Sequence, residues 1–378
     1  MMERLLRRGA GAGLDFALAL RRREFKITVK PRADLAAARE VIYPLLAAEE
    51  RLYVTVIGAP ACLMPDAAEH FCWPLGARGP FRRLPACRAC ALKGRCPGAA
   101  GGMTAELAAP VLPAPAELVI ELNKTCNLAC RACFGRTGEQ IPFASAERAL
   151  REAAELGIKS LRFTGGEPLL YPGLERLLRL ARRLDFYTLL NTNATLFDAA
   201  AARRLGGLVD NALVSLPAAE EAAHAALCGR PGALALKAAA VKLLRRSGVK
   251  TVRAGSVISR TLAASFDDWR GRVGRMGFEI WELYRPMMDR RALDAAPEYD
   301  IRLSDLRRIA AGLPSQGEGR PRAVLANPVP FCAIPAAAKP WALGARFDDG
   351  WTRLVLEPSG NYKPAYPSKA KLGRTLAG

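Results

Sequence analysis

The sequence predicts an α/β fold, a parallel sheet wrapped by helices, with a small α+β domain before it and an extension after it. Three observations predict this. Between residues 118 and 290, short apolar runs and helical patterns alternate six times, as strands joined by crossover helices do. Residues 98–117 are crowded with Gly98, Gly101, Gly102, Pro110, Pro113 and Pro115, the best linker in the chain. From residue 291 the regular alternation stops. The chain therefore divides into 1–97, a linker over 98–117, a sheet domain over 118–290 and an extension over 291–378. Its 378 residues suffice for one large domain and a smaller one.

In the first domain, residues 25–30 and 52–57 read as strands. Residues 33–48 read as a helix, with Asp34 as its N-cap and Pro44 placed to kink or end it. Gly58-Ala59-Pro60 stops the second strand.

In the sheet domain the predicted strands are 118–122, 161–164, 186–190, 211–216, 251–258 and 278–284. The helices between them are 145–156, capped by Ser145 and stopped by Gly157, then 174–184, 198–205, 233–246, closed by Gly248, and 265–276. Beyond them, 300–313 reads as a helix and 351–364 as a β-hairpin turning at Pro358-Ser359-Gly360-Asn361.

Composition excludes some classes. No apolar stretch reads as a membrane span, and the uncharged run 323–338 is broken by Pro328, Pro330 and Pro335. The N-terminal patch holds Asp15 and is followed by Arg21-Arg22-Arg23, which argues against a signal peptide. Ten cysteines in clusters without an export signal read as metal ligands rather than disulfides, in a cytoplasmic setting. The formal charge of +20 admits a nucleic-acid partner or an acidic peptide. The basic residues are spread over helix faces such as 174–184 without interleaved aromatics, which favours plain solvated surfaces over an RNA groove.

Two motifs carry chemistry. Cys126, Cys130 and Cys133 stand with three and then two residues between them. Thiolate is the ligand of iron–sulfur clusters, which want four ligands, so three cysteines leave one iron open. A structural zinc site would need a fourth Cys or His, and the nearest is Cys96, thirty residues back. The second motif is Gly165-Gly166-Glu167-Pro168, directly after an apolar run. Glycines let backbone approach a ligand closely, and a carboxylate accepts from an ammonium group.

Together, in this order, the two motifs resemble the radical S-adenosylmethionine (radical SAM) superfamily. The resemblance spans about residues 117–286 and implies a partial (β/α)6 TIM-type barrel. It implies that Cys126, Cys130 and Cys133 hold a [4Fe–4S] cluster whose open iron binds S-adenosyl-L-methionine, and that Gly165, Gly166, Glu167 and Pro168 line the site of its amino group. Asn193 matches a Thr-Asn-Gly stretch with Ala194 in place of glycine. Ser215 matches a Ser-Leu-Asp-Gly stretch with Pro217 and Ala218 at its end, and would bond the ribose or carboxylate. Ala132 stands where the family often places an aromatic against adenine, and Phe134 is its neighbour. The bland reading of Asn193 and Ser215 is strand-end turn chemistry.

A second group, Cys87, Cys90 and Cys96, with Pro97-Gly98 turning the chain, resembles auxiliary-cluster segments of these enzymes. It implies a second [4Fe–4S] cluster, with Cys62 or Cys72 as fourth ligand and Cys62 preferred. Zinc is the alternative occupant. The hairpin near the C-terminus resembles SPASM or Twitch extensions of peptide-modifying members, without their cysteines, and Cys332 alone holds no cluster. His70 and His224, the two histidines, read as surface or packing residues, and Cys228 as a turn residue. The expected function is reductive cleavage of S-adenosylmethionine and hydrogen abstraction from a peptide or protein, with a flavodoxin- or ferredoxin-type electron donor. The alternatives are modification of RNA, or a non-catalytic iron–sulfur electron-transfer protein.

Overall fold

Valine, leucine and isoleucine runs too short for helices become strands, and the amphipathic stretches between them become the helices that cover them. In the computed structural model the described residues are 2–19, 24–31, 33–48, 53–64, 71, 81–90, 96, 98–100, 115–133, 137–288, 290–314, 321–329, 333–343, 353–366, 368, 370–376. The chain forms two units, Met1–Pro113 and Ala114–Gly378.

The first unit holds α1 (Met2–Gly11), β1 (Leu14–Ala19), β2 (Glu24–Val29), α2 (Leu35–Ala48), β3 (Tyr53–Ile57), and the short β4 (Phe81–Arg82) and β5 (Ala99–Ala100). β2 pairs antiparallel with β1 and parallel with β3, and β4 pairs antiparallel with β5. The Asp34 carboxylate accepts from Ala37 N at 3.0 Å, as an N-cap does. Pro44 lies inside α2 without ending it. The sequence reading missed α1 and β1, which flank Gly13, a residue held at φ +83.

The second unit is built on β6 (Glu117–Glu121), α3 (Phe143–Glu155), β7 (Ser160–Thr164), α4 (Leu174–Arg183), β8 (Tyr187–Thr192), α5 (Ala199–Leu205), β9 (Asn211–Ser215), α6 (Glu221–Cys228), α7 (Ala233–Arg246), β10 (Thr251–Val257), α8 (Arg260–Ala264), α9 (Phe266–Arg275) and β11 (Ile280–Tyr284). There follow α10 (Arg290–Ala295), α11 (Leu303–Gly312), β12 (Arg322–Leu325), β13 (Arg353–Leu356) and β14 (Tyr362–Lys363). The sheet order is β12-β11-β10-β9-β8-β7-β6-β13-β14, parallel throughout except for the β13–β14 hairpin.

Ser145 is not the N-cap of α3. The helix starts at Phe143, and Ser145 N donates to Pro142 O at 3.0 Å, because Pro142 leaves the turn two residues earlier. Nor is β11 the last parallel strand. β12 lies outside it, within the run whose prolines masked it, and β13 pairs alongside β6.

Alternate residues of a strand face opposite sides. Leu118, Ile120, Leu161, Phe163, Leu190, Val214 and Trp281 face the helices and join one buried cluster with Leu150, Leu177, Leu178, Val241 and Leu244. The opposite face carries charge. Arg162 donates two bonds to Glu117, at 2.8 and 3.0 Å, and one to Asn191 at 3.1 Å. Arg353 pairs with the same Glu117 at 2.8 Å, and Glu121 pairs with Lys363 and Lys124 at 2.8 Å each. These pairs fasten β13 and β14 to β6, across a sequence separation that no local pattern records. Among the described residues no helix is long and apolar enough to cross a membrane.

Candidate functional site

Four consecutive parallel strands end on the predicted site residues. The cysteine loop follows β6, Gly165 to Pro168 follow β7, Asn193 follows β8, and Ser215 ends β9. In open and closed α/β sheets alike, this C-terminal rim is where ligands bind.

The cysteine loop is fixed from below by backbone. Ala129 N donates to Cys228 O and Arg131 N to Leu227 O, each at 3.0 Å. Leu128 is buried against Cys228 and Ala233, with Cys126 and Cys130 packed at the margin of that cluster. Leu128 N donates to Cys126 Sγ at 3.4 Å. Arg131 ties the loop outward, to Ala295 O at 3.2 Å and to Glu298 at 2.6 Å. Cys126 and Cys130 are half-buried and Cys133 is exposed. Burial pushes the Cys130 thiol up to about 11; Lys237 opposes this, while Cys126, Cys228 and Cys133 add to it. The loop thiols therefore lie within one another's field, as ligands of one metal group must.

The two glycines are packed against the backbone that leads into this loop. Gly166 N donates to Asn123 O at 2.8 Å, and Glu167 N to Thr125 O at 2.8 Å. A Cβ on Gly165 would lie 2.5 Å from Asn123 O, and one on Gly166 only 2.1 Å from Thr125 O. Both positions exclude any side chain.

Glu167 is fully buried. Its carboxylate accepts from Leu169 N at 3.1 Å, Thr192 Oγ1 at 2.6 Å and Asn193 N at 2.7 Å. Burial raises its pKa against these three bonds. The carboxylate thus joins the ends of β7 and β8.

Asn193 is 6% exposed. Its amide donates to Asn127 Oδ1 at 2.9 Å and reaches Cys126 Sγ at 3.6 Å, while its Oδ1 accepts from Thr195 N at 2.9 Å. Ala194 sits at φ +59, the left-handed region, which explains why a glycine suits that position in similar sequences. Ser215 is exposed at the strand end, and its carbonyl accepts from Lys237 Nζ at 2.5 Å. Ala132 packs against the core. Phe134 lies outside the described residues.

Sequence reasoning missed Asn123, which donates to Glu167 O at 3.1 Å and accepts from Gly166 N at 3.1 Å. It also missed Lys237, whose one sequence signal is a lysine in the middle of an alanine-rich apolar helix. Cys228 is not a turn residue: it is the buried last residue of α6, with its Sγ 3.4 Å from His224 Nδ1. His224 is a packing residue, fully buried, and burial first, then Lys237, pushes its pKa down to about 4. His70 lies outside the described residues.

In the first unit, Cys62 sits in a 3-10 turn after Pro60, and Cys87 in another over Pro85–Ala89. Cys90 N donates to Cys87 O at 3.3 Å and Gly98 N to Cys96 Sγ at 3.4 Å. Cys62, Cys87, Cys90 and Cys96 line one cavity. Burial pushes the Cys62 thiol up to about 11, with Cys96, Cys87 and Cys90 adding to it. Cys72 and Cys332 lie outside the described residues. Among the described residues, no three Cys, His, Asp or Glu side chains are placed to share a single metal ion.

The family model of the radical SAM superfamily matches residues 120–261. The PqqA peptide cyclase of Gluconobacter oxydans (strain 621H) is 36% identical over 142 residues, 36% of this chain and 39% of that one. The PqqA peptide cyclase of Streptomyces rochei is 36% identical over 129 residues, 32% of this chain and 35% of that one. The chain thus spans under two fifths of the length of these relatives. Among solved structures, Streptococcus suis SuiB bound to S-adenosylmethionine has a TM-score of 0.55 at 21% identity, covering 68% of this chain and 63% of that one. Native anSMEcpe with bound AdoMet and Cp18Cys peptide has a TM-score of 0.52 at 18% identity, covering 68% and 76%. These likenesses show the fold, the partial barrel that the family resemblance implied. The part of the chain that the family model matches, residues 120–261, carries the cysteine loop, Gly165 to Pro168, Asn193 and Ser215.

Proposed function

We propose that the chain is a radical SAM enzyme that cleaves S-adenosyl-L-methionine reductively and uses the resulting 5′-deoxyadenosyl radical to abstract hydrogen from a peptide or protein. One observation carries the reading. A three-thiol loop is held directly beside a glycine pair whose side-chain positions are closed by backbone, at one rim of a parallel sheet.

The residues present fit the group. Cys126, Cys130 and Cys133 supply three thiolates, one fewer than a [4Fe–4S] cluster takes, so one iron is left for a ligand that is not protein. Bound there, the cluster supplies the electron that cleaves S-adenosylmethionine. The chain's own residues orient and shield. Asn193 bridges the Cys126 sulfur and Asn127. Asn123 and Glu167 hold the Gly165-Gly166 backbone in place, leaving its peptide groups to meet an ammonium. Ser215, exposed at the next strand end, suits the ribose or carboxylate. Leu128, Cys228 and Ala233 close the loop from beneath, on the side of Cys126 and Cys130.

A peptide substrate is supported by the relatives, which are named for the PqqA peptide, and by SuiB, solved also with its precursor peptide SuiA. An electron donor of flavodoxin or ferredoxin type and a cytoplasmic setting follow from this chemistry as parts of the same proposal. Cys62, Cys87, Cys90 and Cys96 would hold a second [4Fe–4S] cluster. Their shared cavity supports this. Zinc is the alternative occupant of the same four thiols.

The test is anaerobic reconstitution followed by dithionite and S-adenosylmethionine. Wild-type protein should release 5′-deoxyadenosine, and Cys130→Ala should release none. Undiminished cleavage by that variant would overturn the reading.

A further inference from the structure

Lys237 is the strangest charge in the molecule. It lies in the middle of α7 and is fully buried. Its Nζ makes one hydrogen bond among the described residues, to Ser215 O at 2.5 Å. No carboxylate forms an ion pair with it among the described residues. An ammonium group without a paired acid is costly to bury, so the site must return something for it.

The groups whose field it feels identify the partner. Burial disfavours its charge most, and Cys130, Cys228, Glu167 and Cys126 then favour it, in that order. Two of these four are loop thiols, and Cys228 packs beneath the loop. Glu167 is already committed to three hydrogen bonds at the β7 and β8 ends. His224, the other titratable group of this cluster, is held neutral by burial and by Lys237 itself. Ala233, one helical turn before Lys237 on the same face of α7, packs against Leu128 of the cysteine loop, which sets Lys237 on the underside of that loop.

We propose that Lys237 is the fixed counter-charge of the metal–thiolate group on Cys126, Cys130 and Cys133, and that it raises that group's reduction potential. The inference rests on the radical SAM reading and goes beyond it. Taking up one electron adds one negative charge to the group, and a buried cation held in place by Ser215 O favours the more negative state. Net charge, hydrogen bonding and solvent exposure are what set such potentials, and a fully buried charge such as Lys237 acts at a lower effective dielectric than a surface charge. Lys237 itself neither gains nor loses an electron or a proton in the step. It is a positioning residue, acting through the cluster.

The experiment is a redox titration of the full-length, anaerobically reconstituted protein. The readout is the EPR signal of the reduced cluster that responds to added S-adenosylmethionine, which separates the barrel cluster from any second one. Lys237→Gln keeps a donor for Ser215 and removes the charge; Lys237→Arg keeps the charge. At the wild-type midpoint, the Gln variant should show at least a roughly tenfold lower ratio of reduced to oxidised cluster, about 59 mV for one electron, while the Arg variant stays within about threefold. A Gln variant with the wild-type midpoint overturns the proposal. If the Gln variant loses the responsive signal and the Arg variant keeps it, the charge is needed even to hold the thiolates, and the proposal stands. If both lose it, packing rather than charge decides, and the proposal falls. Wild-type protein that takes up no iron on the loop would instead refute the radical SAM reading, and the Lys237 assignment with it.

Discussion

Replacing Glu167 with glutamine tests whether its carboxylate is a joint of the protein or a free ligand group. Its side chain is fully buried and accepts three hydrogen bonds, two from backbone N–H groups and one from the Thr192 hydroxyl. Glutamine keeps one oxygen, enough for Leu169 and Thr192. It turns an NH2 group against Asn193 N, so one backbone donor loses its acceptor and the new amide hydrogens lack partners. Each buried donor left unsatisfied costs about 1–3 kcal/mol, and losing a bond to a charged acceptor adds to that. Relief of the carboxylate's own desolvation offsets part of this. We expect a net loss of about 2–4 kcal/mol. Trp269 and Trp281 are both buried in the second unit, so their fluorescence in urea reads its unfolding. The urea midpoint should fall by about 1 M or more, at a slope typical of denaturant unfolding. An unchanged midpoint together with lost S-adenosylmethionine binding would refute the reasoning, because the carboxylate would then face the ligand rather than the protein.

Gly166→Ala places a Cβ 2.1 Å from Thr125 O; it should cost about 2–3 kcal/mol in the same urea assay and sharply lower iron uptake, since the backbone cannot yield as a side chain would. Asp210 is pushed up by burial but held below the usual carboxylate range by Thr188, Lys250 and Arg182. Its stabilisation is therefore present above the unfolded Asp pKa of about 3.9 and is lost as pH falls through the lower folded value. Asp210→Asn should accordingly melt lower than wild type at pH 7, and the gap should close on acidification. Wild-type protein should bind about eight irons, two four-iron clusters; Cys62→Ser should bind about half that amount and Cys72→Ser the full amount, and the opposite pattern would make Cys72 the fourth ligand.

The parts of this fold that were legible in the sequence are those set by neighbours along the chain. Strands β6 to β11 follow from apolar runs and Gly or Pro stops, and the order of motifs at their ends follows from the alternation itself. The hairpin β13–β14 was legible as a hairpin, but its place was not. It is fastened to β6 by Arg353–Glu117 and Lys363–Glu121, pairs separated by more than two hundred residues. β12 was hidden because four residues between prolines carry no period. At the site, Gly165 and Gly166 were legible because only a residue without Cβ fits there. Glu167 was legible as important but not in its role, since a carboxylate that accepts from an ammonium and one that accepts from Thr192 and Asn193 look alike in one dimension. Lys237 was illegible for the opposite reason: a lysine in a helix is ordinarily a solvated face, and only burial distinguishes it.

The same contrast decides how the charge of +20 is to be understood. Arg151, Arg179, Arg272 and Arg290 pair with acids one helical turn away, at 2.8 to 2.9 Å and largely exposed. Such pairs each contribute only a few tenths of a kcal/mol and are screened by salt. Each such pair is electrically neutral, so these four arginines add no net positive charge for a nucleic-acid backbone to meet. The charges with consequence are the few that are buried. Arg162 and Glu117 fix the strands to one another, while Lys237 is held by the Ser215 carbonyl, one helical turn from Ala233, which packs under the cysteine loop. An excess of cations on the surface is compatible with many partners. A buried cation that forms no ion pair with a carboxylate among the described residues, and that feels the field of the loop thiols, is compatible with few, and it is there that the structure says most about the chemistry.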